Sequence, residues 1–177
     1  MMLERAKKSI DKLLELGLII LMAANVLNVL WQVFTRFVLK DPSSFTEELA
    51  RFLLIWVGLL GASYAAGKKM HLAIDVVLQG FKDKPRIWTE MAIQVIIFLF
   101  SLLVMVVGGM RLVAITLALN QISAALRVKL GYVYLVLPLS GLLIMFYATV
   151  FFIQRLRALS GESIEFEMVA TESKEGI

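Results

Sequence analysis

The sequence predicts an all-α integral membrane protein: four transmembrane helices, cytoplasmic N- and C-termini, and interfacial helical connectors. Three observations predict it. Hydrophobic residues make up 60% of the 177-residue chain and charged residues only 18%, with a mean hydropathy of +0.84, too little polar cover for a soluble domain of this size. Four uncharged runs, Leu16–Thr35, Phe52–Gly67, Met91–Met110 and Leu130–Gln154, approach or exceed the roughly 20 residues that cross a hydrocarbon core. Lysine and arginine, finally, fall unevenly around those runs.

The N-terminal stretch MMLERAKKSIDKLLELG carries Arg5, Lys7, Lys8 and Lys12, as a signal peptide's basic region would. The apolar run behind it is too long for such a peptide, and no A-x-A site closes it. An uncleaved first helix over about 13–38 is therefore expected. Within it Asn25, Asn28 and Gln32 recur at i, i+3 and i+7, a polar stripe that lipid would not tolerate. Interhelical hydrogen bonding is the plain explanation; a partner subunit or a substrate path is the alternative.

The second uncharged run is short, and the chain before it reads KDPSSFTEELARF. Asp41-Pro42 favours a turn, and Ser44 with Glu47 fits a capping box. A helix starting near Phe45 and running to Gly67 crosses comfortably. Its first turns carry Glu47, Glu48 and Arg51, with Glu47 and Arg51 four apart in the favourable order for an ion pair. Two readings stay open: an ordinary interfacial helix start, or a buried polar joint between helices or subunits. Gly58, Ala62 and Ala66 recur every four residues and Gly61 with Ala65 repeats the spacing, so this span is expected to be packed on two faces. Trp56 lies in the outer interfacial belt.

The connector over 70–81 is rich in apolar residues and is expected to lie along the cytoplasmic membrane surface, with Lys82, Lys84 and Arg86 meeting anionic headgroups. His71 and Asp75 stand four apart there, a pair better suited to a structural hydrogen bond than to a metal. The third helix is expected over about 88–112. The apolar stretch ITLALNQISAALRVKLGY extends it and returns along the outer surface, as a protein-covered loop would. The fourth helix, about 130–154, contains Pro138, which either bends it or marks a close contact. The division is thus a four-helix domain over 1–157 and an acidic, flexible tail over 158–177 with five glutamates and one lysine.

Charge orients the bundle. Twelve basic residues flank the ends shared by the termini and the second connector, and six flank the other two connectors, which places both termini in the cytoplasm. Several functions are excluded by what is missing. The chain has no cysteine, no acid at the centre of an uncharged run, no histidine within a span to hold a haem, and no nucleophile–base set or phosphate loop. Neither catalysis, a cofactor nor a bound metal is expected.

Read together, TRFVLKDPSSFTEELARFLLIWVGLLGASYAAGKKMHLAIDV resembles the small membrane subunit of tripartite ATP-independent periplasmic (TRAP) transporters. Arg36, the EE-x-x-R of Glu47, Glu48 and Arg51, Trp56, Gly61-Ala62, and His71 with Asp75 carry the resemblance. Gln121, Ser123 and Leu126, then Tyr134 and Pro138, continue it. Phe45 stands where the family more usually has tryptophan, which keeps an aromatic anchor. The resemblance implies a scaffold subunit in the bacterial inner membrane, partnered by a large membrane subunit and a periplasmic substrate-binding protein. It implies sodium-driven uptake of a small organic acid, such as a C4-dicarboxylate or a sialic acid, with no direct substrate contact by this chain and no nucleic acid as partner. The residues above, with Asn25, Asn28, Gln32 and Gly58, are then candidates for structural or partner contacts. Two other readings are a self-sufficient homodimeric exporter and a membrane anchor for a redox enzyme.

Overall fold

A computed structural model describes residues 2–41, 43–68 and 83–159. Among these, four helical stretches are long and apolar enough to cross a membrane: Arg5–Leu39, Ser44–Gly67, Trp88–Ala118 and Leu130–Leu156. The first is α1 (Met2–Phe34) continued by a wide-turned π1 (Thr35–Leu39). It stops where Lys40 takes a left-handed conformation, φ 55°, and the following Asp41 N–H closes back on Thr35 O at 3.2 Å. The second is α2 (Ser44–Gly67). The third joins α3 (Asp83–Phe100), π2 (Ser101–Gly108) and α4 (Gly109–Ala118). The fourth is α5 (Leu130–Tyr134) followed by α6 (Val136–Leu159).

The start of α2 departs from the expected capping box. Its N-cap is Ser43, whose side chain makes no capping hydrogen bond; instead the Thr46 hydroxyl donates to Ser43 O at 2.8 Å. With Ser43 as N-cap the third helical position is Thr46 rather than Glu47, and Glu47 instead accepts from Arg51 one turn onward.

The helices pack in the order first, second, fourth, third. The fourth is the most enclosed, with 44% of its apolar window buried against 6% for the first, so it is the axis of the bundle. The main core lies where α1, α2 and α6 meet: Leu14, Leu60, Val136, Tyr147 and Phe151, bordered by Leu18, Trp56 and Leu59 among others. Buried hydroxyls mark the seam between α2 and α6, where Ser63 Oγ lies 3.2 Å from Ser140 O. Farther along, Trp56 fixes α2 against α5 by donating to Val133 O at 3.1 Å.

Against the third span, the fourth makes its closest approaches at glycines. A Cβ on Gly109 would lie 3.0 Å from Pro138 Cδ, and one on Gly141 would lie 2.7 Å from Met105 Cβ. Pro138 therefore marks a close contact, and the break between α5 and α6 at Leu135 falls one turn before it.

The bundle has two distinguishable ends. Asp11, Lys68, Glu90 and Arg155 share one, joined by the contacts Lys68–Asp11 and Arg155–Glu90, and the two ends of the described chain emerge there. We call it the proximal end. The distal end carries the turn between π1 and α2 and the connector over 119–129.

Candidate functional site

The charged triplet at the start of α2 divides its labour. The Glu48 carboxylate crosses to the distal connector, accepting hydrogen bonds from the backbone N–H groups of Ala125 at 2.8 Å and Leu126 at 2.7 Å. Glu47 and Arg51 turn the other way. They pair at 3.1 Å with side chains 64% and 66% exposed, an ordinary surface i,i+4 contact that adds at most about 0.5 kcal/mol to the chain itself.

Glu48 can meet two adjacent amides because the connector is a shaped loop. After α4, Asn120 (φ 48°) turns the chain, Ile122 and Lys129 form an isolated antiparallel bridge, and Arg127 (φ 53°) sits at the return. Ser123, buried, ties both strands of the loop: its N–H donates to Val128 O at 2.9 Å and its Oγ accepts from Val128 N–H at 3.3 Å. Gln121 uses its backbone, donating to Thr116 O and accepting from Leu130 N–H, both at 3.0 Å. The amides of Ala125 and Leu126 would otherwise lack acceptors in a loop this tight, and the carboxylate supplies them.

Of the polar stripe on α1, Asn28 donates from Nδ2 to Thr46 O at 2.7 Å, joining the first span to the first turn of α2. Asn25 lies one turn away with its Oδ1 shielded and without a donor among the described residues. Gln32 accepts at its backbone oxygen from Thr35 Oγ1 at 3.0 Å. Arg36 is exposed on π1. His71 and Asp75 lie outside the described residues.

Among the described residues, the small-residue face of Gly58 and Ala62 on α2 is left uncovered. A Cβ on Gly61 would just touch Leu18 at 4.0 Å, and one on Gly58 would meet nothing within 4 Å; Ala62 is exposed. The buried contacts of α2 with α6 run instead through Leu60, Ser63 and Gly67. Glu47, Arg51, Gly58 and Ala62 are all exposed and, at helical spacing, form one stripe from the distal end towards mid-helix.

A second polar cluster, absent from the sequence reading, closes the proximal end. Tyr147, 1% exposed, donates from its hydroxyl to Asp11 Oδ1 at 2.6 Å. Asp11 Oδ2 lies 3.8 Å from Lys7 Nζ and 3.9 Å from Lys68 Nζ. The Tyr147 ring rests on Gly67, where a Cβ would come within 2.6 Å of Cζ. The signal was a tyrosine deep in an apolar run, whose hydroxyl needs a partner, and an aspartate four residues after a lysine. A buried acid thus does occur on the first helix, but it is compensated and lies at one end rather than at mid-membrane. Among the described residues no three potential ligands gather as a metal site would require.

The family model of tripartite ATP-independent periplasmic transporters, DctQ component, matches residues 25–158. The chain is 30% identical over 108 residues to the sialic acid TRAP transporter small permease protein SiaQ of Vibrio cholerae, covering 61% of this chain and 62% of that one. It is also 30% identical over 115 residues to the sialic acid TRAP transporter permease protein SiaT of Haemophilus influenzae, covering 65% of this chain but only 18% of that protein. The matched stretch is thus less than two thirds of either relative's length.

Proposed function

The chain belongs to the DctQ-component family of tripartite ATP-independent periplasmic transporters, and on that premise we propose that it is the small, non-catalytic membrane subunit of such a transporter. Its part is to broaden the fixed scaffold of a large permease that carries the substrate. The observation that carries this reading is the outward stripe on α2. Among the described residues Glu47 and Arg51 are spent on no other element, and Gly58 and Ala62 leave the helix backbone open to a close neighbour. We assign that stripe to the permease. The relative from Haemophilus influenzae supports the pairing, because there the similar stretch is a minor part of a longer permease.

The rest of the chain suits a scaffold. Its inward-turned polar groups tie its own elements together: Glu48 to the connector, Asn28 to α2, Asp11 to Tyr147. The charge asymmetry supports a proximal end, with its lysines, on the cytoplasmic side of a bacterial inner membrane. The transported substrate in this reading is a small organic acid of the sialic acid kind, for which both relatives are named, captured by a periplasmic binding protein and driven by sodium.

Reconstitution in liposomes tests the proposal. The purified chain alone is expected to give no uptake. Adding the large permease and the binding protein is expected to give uptake that follows an imposed sodium gradient. Uptake by the chain alone would overturn the scaffold role and favour a self-sufficient carrier.

A further inference from the structure

An apolar groove of about 770 Å³ runs between the first two spans, walled by Leu18, Ile19, Met22 and Val26 of α1 and by Val57 and Gly61 of α2. Both walls continue into cations at the proximal end. On α1 the positions Lys8, Lys12, Glu15, Ile19, Met22 and Val26 follow one another at spacings of three and four, and so share a face. On α2 the series Val57, Gly61, Tyr64, Lys68 does the same.

The mouth is cationic on balance. Lys8, Lys12 and Lys68 stand there against Glu15, while Lys7, over the Phe151 ring, and Asp11, bonded to Tyr147, turn towards α6. Asp11 has one oxygen committed to Tyr147 at 2.6 Å, so its other oxygen serves two ammonium groups at 3.8 and 3.9 Å. Glu15 faces the Tyr64 hydroxyl at 3.4 Å. Lys8 and Lys12 are exposed, and Lys68 keeps 42% of its side chain open.

The groove also stops short of the full membrane thickness. At 1.5 Å per residue it reaches about 16 Å along α2, from Lys68 to Val57, and about 22 Å along α1, from Lys12 to Leu27, against about 30 Å for the whole hydrocarbon core. The apolar runs of both helices continue beyond it, to Thr35 and Phe52. A spanning partner helix would need a furrow through both leaflets; this one has the reach of an acyl chain entering from the proximal end.

We propose that the groove is a binding site for an anionic phospholipid drawn from the leaflet at the proximal end. Its phosphate sits between Lys12 and Lys68, and one acyl chain lies against Leu18, Met22, Val57 and Gly61. Basic residues between helices at a membrane surface recognise anionic headgroups, each lysine contributing about 1 kcal/mol, or roughly a fivefold change in affinity.

The test is native mass spectrometry of the full chain in detergent with added phosphatidylglycerol or phosphatidylcholine. Phosphatidylglycerol is expected to be retained in preference. Lys12→Gln and Lys68→Gln are each expected to weaken its binding about fivefold while leaving phosphatidylcholine unchanged. Ala23→Leu places a side chain on the groove wall at an exposed position, and is expected to weaken both lipids without lowering the melting temperature. Equal retention of the two lipids, wild-type affinity in both lysine variants, or displacement of phosphatidylglycerol by inorganic phosphate alone would each overturn the proposal.

Discussion

The Glu48 carboxylate and the backbone N–H of Leu126 lie 2.7 Å apart across 78 residues of sequence, which makes the first turn of the second span and the distal connector a single structural unit. Hydrogen bonds to a charged acceptor contribute about 1.5–3 kcal/mol each, and stranding a buried donor costs about as much. Glu48→Ala should therefore loosen the connector locally. Amide hydrogen exchange, read by mass spectrometry over residues 123–128, is expected to accelerate at least about tenfold, with the proximal half unchanged. Unaltered exchange would show that the loop's own bridge between Ile122 and Lys129 suffices.

The proximal joint offers a cleaner energetic test. Tyr147→Phe strips the hydroxyl from a nearly inaccessible ring and leaves Asp11 Oδ1 without its donor. A loss of about 1–3 kcal/mol is expected in thermal unfolding in detergent. Asp11→Asn combined with Tyr147→Phe should cost less than the two single changes added together. Strict additivity would mean that the contact contributes nothing to stability.

Gly67→Ala attacks the same joint through shape. The added methyl would overlap the Tyr147 ring, at 2.6 Å from Cζ, so the ring must leave its seat on α2. Overpacking of this kind costs about 1–3 kcal/mol. The double variant with Tyr147→Ala should recover part of the Gly67→Ala penalty, and failure to recover it would place the strain elsewhere.

Arg51 separates stability from assembly. Its exposed pairing with Glu47 implies that Arg51→Ala changes the unfolding free energy of the isolated chain by no more than about 0.5 kcal/mol. If the stripe on α2 meets the large permease, the same variant lowers co-purification with that subunit and lowers uptake, both more than Lys40→Ala does. Equal yields and equal uptake would return Arg51 to a plain surface role.

Orientation is open to a direct chemical experiment, because the chain has no cysteine of its own. Single cysteines replacing Lys40 or Gln121, both exposed at the distal end, should react in intact spheroplasts with a maleimide that cannot cross the membrane. Cysteines replacing Ser9 or Gln154 should react only after permeabilisation. The reverse pattern would invert the proposed topology.

The four helices were legible because hydrocarbon imposes a simple demand, an apolar run of sufficient length, which a single sequence displays. The extension of the third helix followed from local chemistry in the same way, whereas for Pro138 that chemistry allows either a bend or a close contact, and only Gly109 beneath it decides for the contact. The polar joints were harder. Glu47 and Glu48 are neighbours of one residue type, and nothing in their spacing tells that one pairs along its helix while the other reaches the distal loop. The choice depends on which side of α2 the connector covers, a property of tertiary packing. For the small residues of α2 a related limit holds: spacing shows that a backbone can be approached, not whether this chain or a partner approaches it. Asp11 passed unnoticed because its partner, Tyr147, lies 136 residues away.

The buried hydroxyls bear on biogenesis. Ser63 Oγ lies 3.0 Å from Leu59 O in its own helix as well as 3.2 Å from Ser140 O across the seam. Thr116 and Ser140 likewise find carbonyls in their own helices, at Leu112 and Leu137. A nascent helix leaving the insertion machinery can thus shelter these side chains against its own backbone, so Ser63 and Thr116 can wait in lipid for a span that the ribosome has not yet made.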